Sequence, residues 1–252
     1  MPTPLVLPRI AWGSPSASRR ALLVHGLGSN GALMWRFGAA LADAGWHAVA
    51  VDLRGHGVAP RALDYTIAAY AADVAATRPD DGGAWDLAVG HSLGGAAVVV
   101  ASAADPEWTR SLVLVDPGLF LTDDEREWVR EGQEASFADP SHEAARRANP
   151  HWHEQDVELK ATATSQASRW AIEQTSAQNT EWDVRADAAR VAVPTHVIAA
   201  DPAVYSIFRG EVSEAVLANP RFSMTVIAGA GHSPHRDKPD ATIAALRAVL
   251  PR

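Results

Sequence analysis

The sequence predicts an α/β fold with a doubly wound, mostly parallel sheet and helices on both of its faces. Two patterns in the 252 residues predict this class. Short, continuous apolar runs such as 21–24, 111–115 and 195–200 are typical of strands buried on both faces. Stretches with apolar residues at helical spacing, such as 31–44 and 66–77, separate these runs. Because strands and helices alternate along the chain, crossover helices would join parallel neighbours.

Each predicted element has a local signal. Apolar residues alternate from Leu5 to Trp12, which predicts one or two edge strands bounded by proline and serine clusters. Gly45 closes the first helix, and an alanine-rich helix stops before Pro106. In chain order, the predicted strands are 5–12, 21–24, 47–51, 86–89, 111–115, 195–200 and 223–228, and the predicted core helices are 31–44, 66–77, 96–104 and 241–250.

The interval 119–190 interrupts this alternation. It contains no buried strand, it is rich in Glu, Gln, Ala and Arg, and two prolines divide it, which predicts several short helices. Between 122 and 190 there are 15 acidic and 8 basic residues, so nearly all of the net charge of −8 falls here. We therefore expect a core of residues 1–118 and 191–252 and a helical cap of residues 119–190 above the strand ends. Its tryptophans either line a pocket or pack the cap on the core.

Composition excludes several classes of function. The chain has no cysteine, which rules out disulfides, thiolate catalysis and cysteine-based zinc sites. Its negative charge argues against a nucleic-acid partner. Prolines break the first 18 residues and no apolar stretch is long enough for a membrane span, so we expect a cytoplasmic protein, monomeric or homodimeric, without membrane contact.

Polar residues follow the predicted strands where parallel strands would bring them to one edge of the sheet. The sequence Gly90-His91-Ser92-Leu93-Gly94 lies between a predicted strand and a predicted helix. Glycines on either side of the serine allow a turn tight enough to expose its hydroxyl, and the following helix start offers free amides to a negative charge. A nucleophilic serine needs both features.

Four motifs in order make a family resemblance specific: His25-Gly26-Leu27-Gly28, Asp52-Leu53-Arg54-Gly55-His56-Gly57, the Ser92 turn, and Gly231-His232. With them, the sequence resembles α/β-hydrolase-fold proteins over essentially its whole length. The resemblance implies a core sheet of the eight-stranded type, Ser92 as nucleophile and His232 as its base. It also implies that the backbone amides of Leu27 and Leu93 form the oxyanion hole.

Two residues compete for the carboxylate that orients His232. The family usually places this acid after the strand that ends at Ala200, which favours Asp201, although the loop there is short. A minority of relatives supply it from the end of the preceding strand, where Asp116 stands. We predict Asp201, with Asp116 as the alternative. Among the other histidines, those in tight turns are expected to bond to backbone, and His235 is expected to face solvent.

These residues predict a serine hydrolase that cleaves a small-to-medium, mostly apolar carboxylic ester or lactone through an acyl-enzyme on Ser92. A serine in this turn argues against the dehalogenases and epoxide hydrolases of the fold. The same triad also serves C–C bond hydrolases, thioesterases, perhydrolases and hydroxynitrile lyases, and a ligand sensor that signals through its cap is a further alternative. No dinucleotide or phosphate-binding fingerprint appears, and residues 151–154 are too poor in spaced ligands for a metal site, so we expect no cofactor and no metal.

Overall fold

The computed structural model describes residues 2–250, in which seven strands form one sheet. The strands are β1 Arg9–Trp12, β2 Arg19–Val24, β3 Trp46–Val51, β4 Leu87–His91, β5 Leu112–Val115, β6 Thr195–Ala199 and β7 Phe222–Val226. Their order across the sheet is β1-β3-β2-β4-β5-β6-β7, with β1 antiparallel to β3 and all other neighbours parallel. The predicted α/β class is confirmed.

The described part of the chain has one strand fewer than the eight-stranded type. The predicted edge region 5–12 forms a strand only from Arg9, because Pro8 has no amide to donate into a ladder. Pro8 contributes only its carbonyl oxygen, which accepts from the amide of Asp52 at 3.1 Å. The residues before it turn away from the sheet, and the amide of Leu5 donates to Asp73 Oδ1 at 2.5 Å.

Helices cover both faces of the sheet, because successive side chains of each strand point to opposite sides. Leu22 and Val24 pack in the core on the face covered by the helices Ile67–Ala76 and Leu93–Ala104, whereas Leu23 packs in the core on the other face, covered by Trp35–Asp43 and Pro239–Val249. The helices are a 3₁₀ turn Gly31–Met34, α1 Trp35–Asp43, α2 Ile67–Ala76, α3 Leu93–Ala104, α4 Asp123–Ala138, α5 His142–Ala148, α6 Glu154–Gln166, α7 Arg169–Gln178, α8 Arg185–Arg190, α9 Gly210–Leu217, α10 Pro234–Asp237 and α11 Pro239–Val249.

The segment between β5 and β6 is helical, from α4 to α8. It leaves and rejoins the core at one place, because the amide of Leu121 donates to Trp182 O at 3.1 Å and that of Val184 donates to Leu119 O at 2.8 Å. A capping box between Thr122 and Glu125 starts α4 directly after this junction. After the junction, α8 packs against the core helix α3, so residues 185–190 lie on the core rather than above the strand ends.

Within residues 2–250, no helix combines the length and the apolar character that crossing a membrane requires.

Candidate active site

Ser92 occupies the turn that the sequence predicts, between the end of β4 and the start of α3. Its backbone has φ 52° and ψ −117°, a conformation that L-residues rarely adopt and that stores of order 1–3 kcal/mol of strain. The glycines are required by close approach. A Cβ on Gly90 would lie 2.6 Å from Gly94 O, and a Cβ on Gly94 would lie 2.4 Å from Val24 O. The close packing of the backbone around these two glycines therefore fixes the conformation of the turn that carries the Ser92 hydroxyl.

His232, in the loop between β7 and α10, lies beside this serine. Its Nε2 is 3.0 Å from Ser92 Oγ, and its Nδ1 is 2.7 Å from Asp116 Oδ2. With the proton on Nδ1 donated to the carboxylate, Nε2 is free to accept the hydroxyl proton of the serine. Hydroxyl, imidazole and carboxylate thus form one continuous hydrogen-bonded chain.

Asp116, at the end of β5, holds the far side of the histidine. Its side chain is fully buried, and Oδ1 accepts from Ser206 Oγ at 2.5 Å and from the amide of Ala200 at 3.1 Å. The amide of Ile207 donates to Oδ2 at 3.2 Å. A buried carboxylate is tolerated when donors surround it, and here they also fix the orientation of the oxygen that faces His232.

The prediction that Asp201 orients His232 is wrong. In the structure the Asp201 carboxylate accepts from the amides of Ala203 at 2.9 Å and Gly229 at 2.8 Å. These two backbone hydrogen bonds lower the pKa of Asp201. Asp201 lies two residues after the end of β6, and its side chain ties the loop after β6 to the loop after β7 and does not reach the imidazole. The alternative acid, Asp116, is the one that the fold brings to His232.

Leu27 and Leu93 line the same cavity as Ser92 and His232. None of the hydrogen bonds formed by the described residues uses the amide of Leu27 or of Leu93. Two unused N–H groups beside a serine hydroxyl are what an oxyanion would require.

His25 holds the loop that carries Leu27. Its Nδ1 donates to Gly26 O at 2.7 Å, and its Nε2 accepts from the amide of Leu53 at 3.0 Å. Burial lowers the pKa of His25 to about 4, so the ring stays neutral and can play both parts at neutral pH. The predicted backbone bonding of the turn histidines is confirmed here, and His56 and His91 do the same with Arg54 O and His232 O.

A cavity of about 450 Å³ opens above Ser92. Its lining is partly apolar and partly polar. The apolar lining includes Leu121, Trp128, Val129, Trp182, Tyr205 and Ile207, and the polar lining includes Ser29, Asn149, Lys160, Ser233, Arg236 and Asp237. Of the tryptophans in the interval 119–190, Trp128, Trp152 and Trp182 line the cavity, whereas Trp170 does not line it and is half exposed.

Comparison with known proteins agrees with this geometry. Residues 21–245 match the model of the alpha/beta hydrolase family. The chain belongs to this family. The match includes the Ser92 turn, Asp116 and His232, so all three members of the hydrogen-bonded chain lie inside it.

This α/β hydrolase is similar to two curated enzymes over part of its length. It is 33% identical to lipase LipV of Mycobacterium tuberculosis over 144 residues, which cover 56% of this chain and 54% of LipV. It is 37% identical to the pimeloyl-[acyl-carrier protein] methyl ester esterase of Neisseria meningitidis over 113 residues, covering 44% and 41%. The chain thus matches about half the length of these relatives, or less.

Solved structures extend the likeness to nearly the whole chain. A carboxylesterase structure from Nitrososphaera gargenis superposes with a TM-score of 0.81 over 97% of this chain and 93% of that one, at 14% identity. At that identity the agreement shows a shared fold.

Two features of this α/β hydrolase differ from the sequence expectation or were missed by it. His235 is fully buried rather than solvent-facing, because its ring packs between Phe37 and His91 with centroids 5.2 and 4.9 Å away. Arg236 and Lys160 line the cavity, although no motif singles them out. In the sequence, Arg236 is marked only by its place four residues after His232, and Lys160 only by its place in a predicted helix, and neither feature indicates a binding residue.

The histidine side chains of residues 151–154 do not converge on a common position where a metal ion could bind. His151 Nε2 lies 3.0 Å from Asp237 Oδ1, whereas His153 Nδ1 accepts from the amide of Gln155 at 3.2 Å. Across residues 2–250, no group of three or more His, Asp or Glu side chains is arranged to hold a metal ion.

Proposed function

We propose that this protein is a serine hydrolase that cleaves carboxylic esters through an acyl-enzyme on Ser92. The observation that carries the proposal is the chain from Ser92 Oγ to His232 Nε2 at 3.0 Å and from His232 Nδ1 to Asp116 Oδ2 at 2.7 Å. Ser92 and His232 line a cavity that is large enough for a small-to-medium substrate. The lipase and methyl ester esterase among the curated relatives support an ester as the substrate class.

Each residue has one task in the proposed reaction. His232 Nε2 takes the hydroxyl proton as Ser92 Oγ attacks the ester carbonyl carbon. The carbonyl oxygen becomes an oxyanion between the amides of Leu27 and Leu93, each contributing about 3 kcal/mol to its stabilisation. The intermediate expels the alkoxide, which takes the proton from His232 and leaves as the alcohol. Water then attacks the acyl group by the same route, which releases the carboxylic acid and restores Ser92.

Asp116 acts through the histidine rather than on the substrate. Its carboxylate keeps the proton on Nδ1 while the ring is neutral and stabilises the imidazolium that forms during attack. Because the side chain is fully buried and held by Ser206, Ala200 and Ile207, its orientation is set before substrate arrives.

The same chemistry opens a lactone, in which the leaving alkoxide stays attached to the acyl group. The apolar lining residues of the cavity would contact the acyl chain or an apolar alcohol of either kind of ester.

Turnover of 4-nitrophenyl esters from acetate to laurate tests the proposal. We expect sustained multiple turnover with wild-type protein, a preference for the shorter chains, and loss of at least about 10⁴-fold in kcat for Ser92→Ala, because the nucleophile is gone. Release of a single equivalent of nitrophenol followed by arrest would favour the ligand-sensor alternative. Unchanged turnover by a well-folded Ser92→Ala variant would refute the proposal.

A further inference from the structure

The polar lining of the cavity carries positive charge that its own side chains do not balance. Lys160 from α6 and Arg236 from α10 both line it, and Asp237 is the one carboxylate among the described residues that line the cavity. Asp237 is already engaged, since Oδ1 accepts from Trp152 Nε1 at 2.7 Å and Oδ2 accepts from the amide of Gly231 at 2.8 Å. His151 Nε2 lies 3.0 Å from the same Oδ1.

Arg236 is buried without a carboxylate partner. The residue is 5% exposed, and its Nε and Nη2 have no acceptor among the described residues and are shielded from solvent. Nη1 donates only a long hydrogen bond of 3.4 Å to Ser233 Oγ. The guanidinium carbon lies 5.1 Å from the centre of the Trp152 ring. Burial lowers the pKa of Arg236 to about 10, so the group stays charged at neutral pH.

Lys160 adds a second cation. Its Nζ donates to Gly28 O at 3.0 Å, and within residues 2–250 it forms no ion pair with a carboxylate. Burial, and secondarily the charge of Arg236, lower the pKa of Lys160 to about 8. Loss of contact with water and repulsion by a nearby cation both favour the neutral form of the Lys160 amine.

The remaining charged groups near Arg236 do not compensate it. Asp156 is fully buried, but both Nε and Nη2 of Arg36 donate to its Oδ2, at 3.1 and 2.7 Å, and Trp35 Nε1 donates to its Oδ1 at 2.8 Å. His235 is neutral, because burial and the charge of Arg236 hold its pKa well below the usual range. The cluster of three cations and two carboxylates is therefore one negative charge short.

The unused edge of Arg236 has the geometry that this protein uses elsewhere for carboxylates. In the buried pair Arg54–Asp73, Nε donates to Oδ2 and Nη2 to Oδ1, each at 2.7 Å. A guanidinium presents these two donors side by side, which matches the two oxygens of a carboxylate. Arg236 also lines the cavity, so a carboxylate bound there would lie next to a guanidinium that has no other carboxylate partner within residues 2–250.

We propose that Arg236 and Lys160 form a subsite for a carboxylate on the substrate, so that the enzyme prefers esters with an anionic end. The inference rests on the proposed function and narrows its substrate class to an ester that carries a carboxylate in addition to an apolar group. Ser92, the apolar lining residues and the two cations line the same cavity, so one molecule can contact all of them.

Matched pairs of substrates test the preference in wild-type protein. The anionic set comprises monomethyl esters of linear dicarboxylic acids from malonate to suberate and acetate esters of linear ω-hydroxy acids, which place the carboxylate on the acyl or the alcohol side. Each is paired with the neutral ester of the same chain length, and acid release is followed by titration at constant pH. We expect the best anionic ester to exceed its neutral partner by about tenfold to a hundredfold in kcat/KM, the range for a hydrogen bond to a charged group. If every neutral partner is the better substrate, the subsite does not exist.

Two variants locate the preference. Arg236→Met removes the guanidinium and keeps most of the apolar stem, and Lys160→Met removes the second cation. We expect the ratio of anionic to neutral kcat/KM to fall to about one in Arg236→Met and by a smaller factor in Lys160→Met. Arg169→Met is the matched control. It also removes one positive charge, but Arg169 pairs with Glu173 on the exposed surface of α7. An equal loss on both substrate sets in Arg236→Met, with an unchanged ratio, would overturn the assignment.

Binding separates this inference from the proposed reaction. Calorimetric titration of Ser92→Ala with the best anionic ester and its neutral partner needs no turnover. Preferential binding of the anionic ester by at least about tenfold, without hydrolysis by wild-type protein, would keep the subsite and reject the hydrolase. Equal binding of both esters would reject the subsite, whatever the turnover.

Discussion

Replacing Asp116 by asparagine tests the assignment of the carboxylate that orients His232. Asparagine has nearly the same shape, so Ser206 Oγ and the amide of Ala200 retain an acceptor when the amide oxygen takes the place of Oδ1. The NH₂ group then faces His232 Nδ1, 2.7 Å from the original oxygen, and donates to it. The ring is forced into the tautomer that carries its proton on Nε2, and it can no longer accept the proton of Ser92.

The expected loss in kcat is about 10⁴-fold, or about 5.4 kcal/mol of transition-state stabilisation. We expect the folded state to lose a further 1–3 kcal/mol, roughly, because the NH₂ group also faces the amide of Ile207, whose acceptor disappears. Steady-state hydrolysis of 4-nitrophenyl butyrate gives the first quantity, and urea unfolding followed by circular dichroism gives the second.

Asp201→Asn is the matched control, since it makes the same chemical change one strand away. Its carboxylate bonds to two backbone amides and does not touch the imidazole, so kcat is expected to stay within about threefold of wild type. The reasoning fails if Asp201→Asn loses about 10⁴-fold while Asp116→Asn stays active.

Two further predictions concern the scaffold. Gly94→Ala is expected to lower the free energy of unfolding, measured in urea, by about 1–3 kcal/mol, because the added Cβ would lie 2.4 Å from a backbone oxygen. Gly132→Ala is the control and should be neutral or slightly stabilising, because nothing lies within 4 Å of the added carbon. Equal effects of the two substitutions would contradict the packing described. Burial lowers the pKa of His25 to about 4 and that of His56 to about 3, so as the pH falls these two rings are protonated in the unfolded chain before they are protonated in the folded one. The free energy of unfolding is therefore highest above about pH 6.5 and falls by ~3 kcal/mol for each ring as the pH drops toward 4. A free energy of unfolding that stays constant over this range would refute the neutral, buried state of the two rings.

Local sequence signals predicted the strands and the turn that carries Ser92 well. The predicted strand 86–89 is β4, and the glycines at 90 and 94 mark a turn that tolerates no Cβ at either place. Such signals are reliable because buried strands and tight turns depend on residues that are close together in the sequence. The backbone interactions of the turn histidines were predictable for the same reason.

Which aspartate lies beside His232 could not be predicted in this way. Asp116 and Asp201 each come directly after a predicted strand, 111–115 and 195–200, so their local sequence patterns are alike. The difference arises from Ser206 and Ile207, which surround Asp116 from a loop about ninety residues further along the chain. Contacts of this range are set by packing of the whole sheet rather than by neighbours in the sequence.

His235 and Arg236 show the same limit from the opposite direction. A short stretch of Ser, Pro, His, Arg and Asp is typical of an exposed loop, yet both side chains are buried. Phe37 of α1 packs against His235, and Trp152 from the segment between β5 and β6 packs against Arg236. The sequence contains no periodic apolar pattern there that would reveal it. The proposed anion subsite therefore depends on the structure alone.

Covalent trapping of the nucleophile tests the central claim most directly. Diethyl 4-nitrophenyl phosphate transfers a diethylphosphoryl group to an activated serine and releases one nitrophenol. Ser92, as the activated serine, should gain a single diethylphosphoryl group, found by mass spectrometry on the peptide that contains it, in step with the loss of esterase activity. The Ser92→Ala variant should remain unmodified. A fully inactivated protein whose phosphoryl group lies on any other residue would contradict the account.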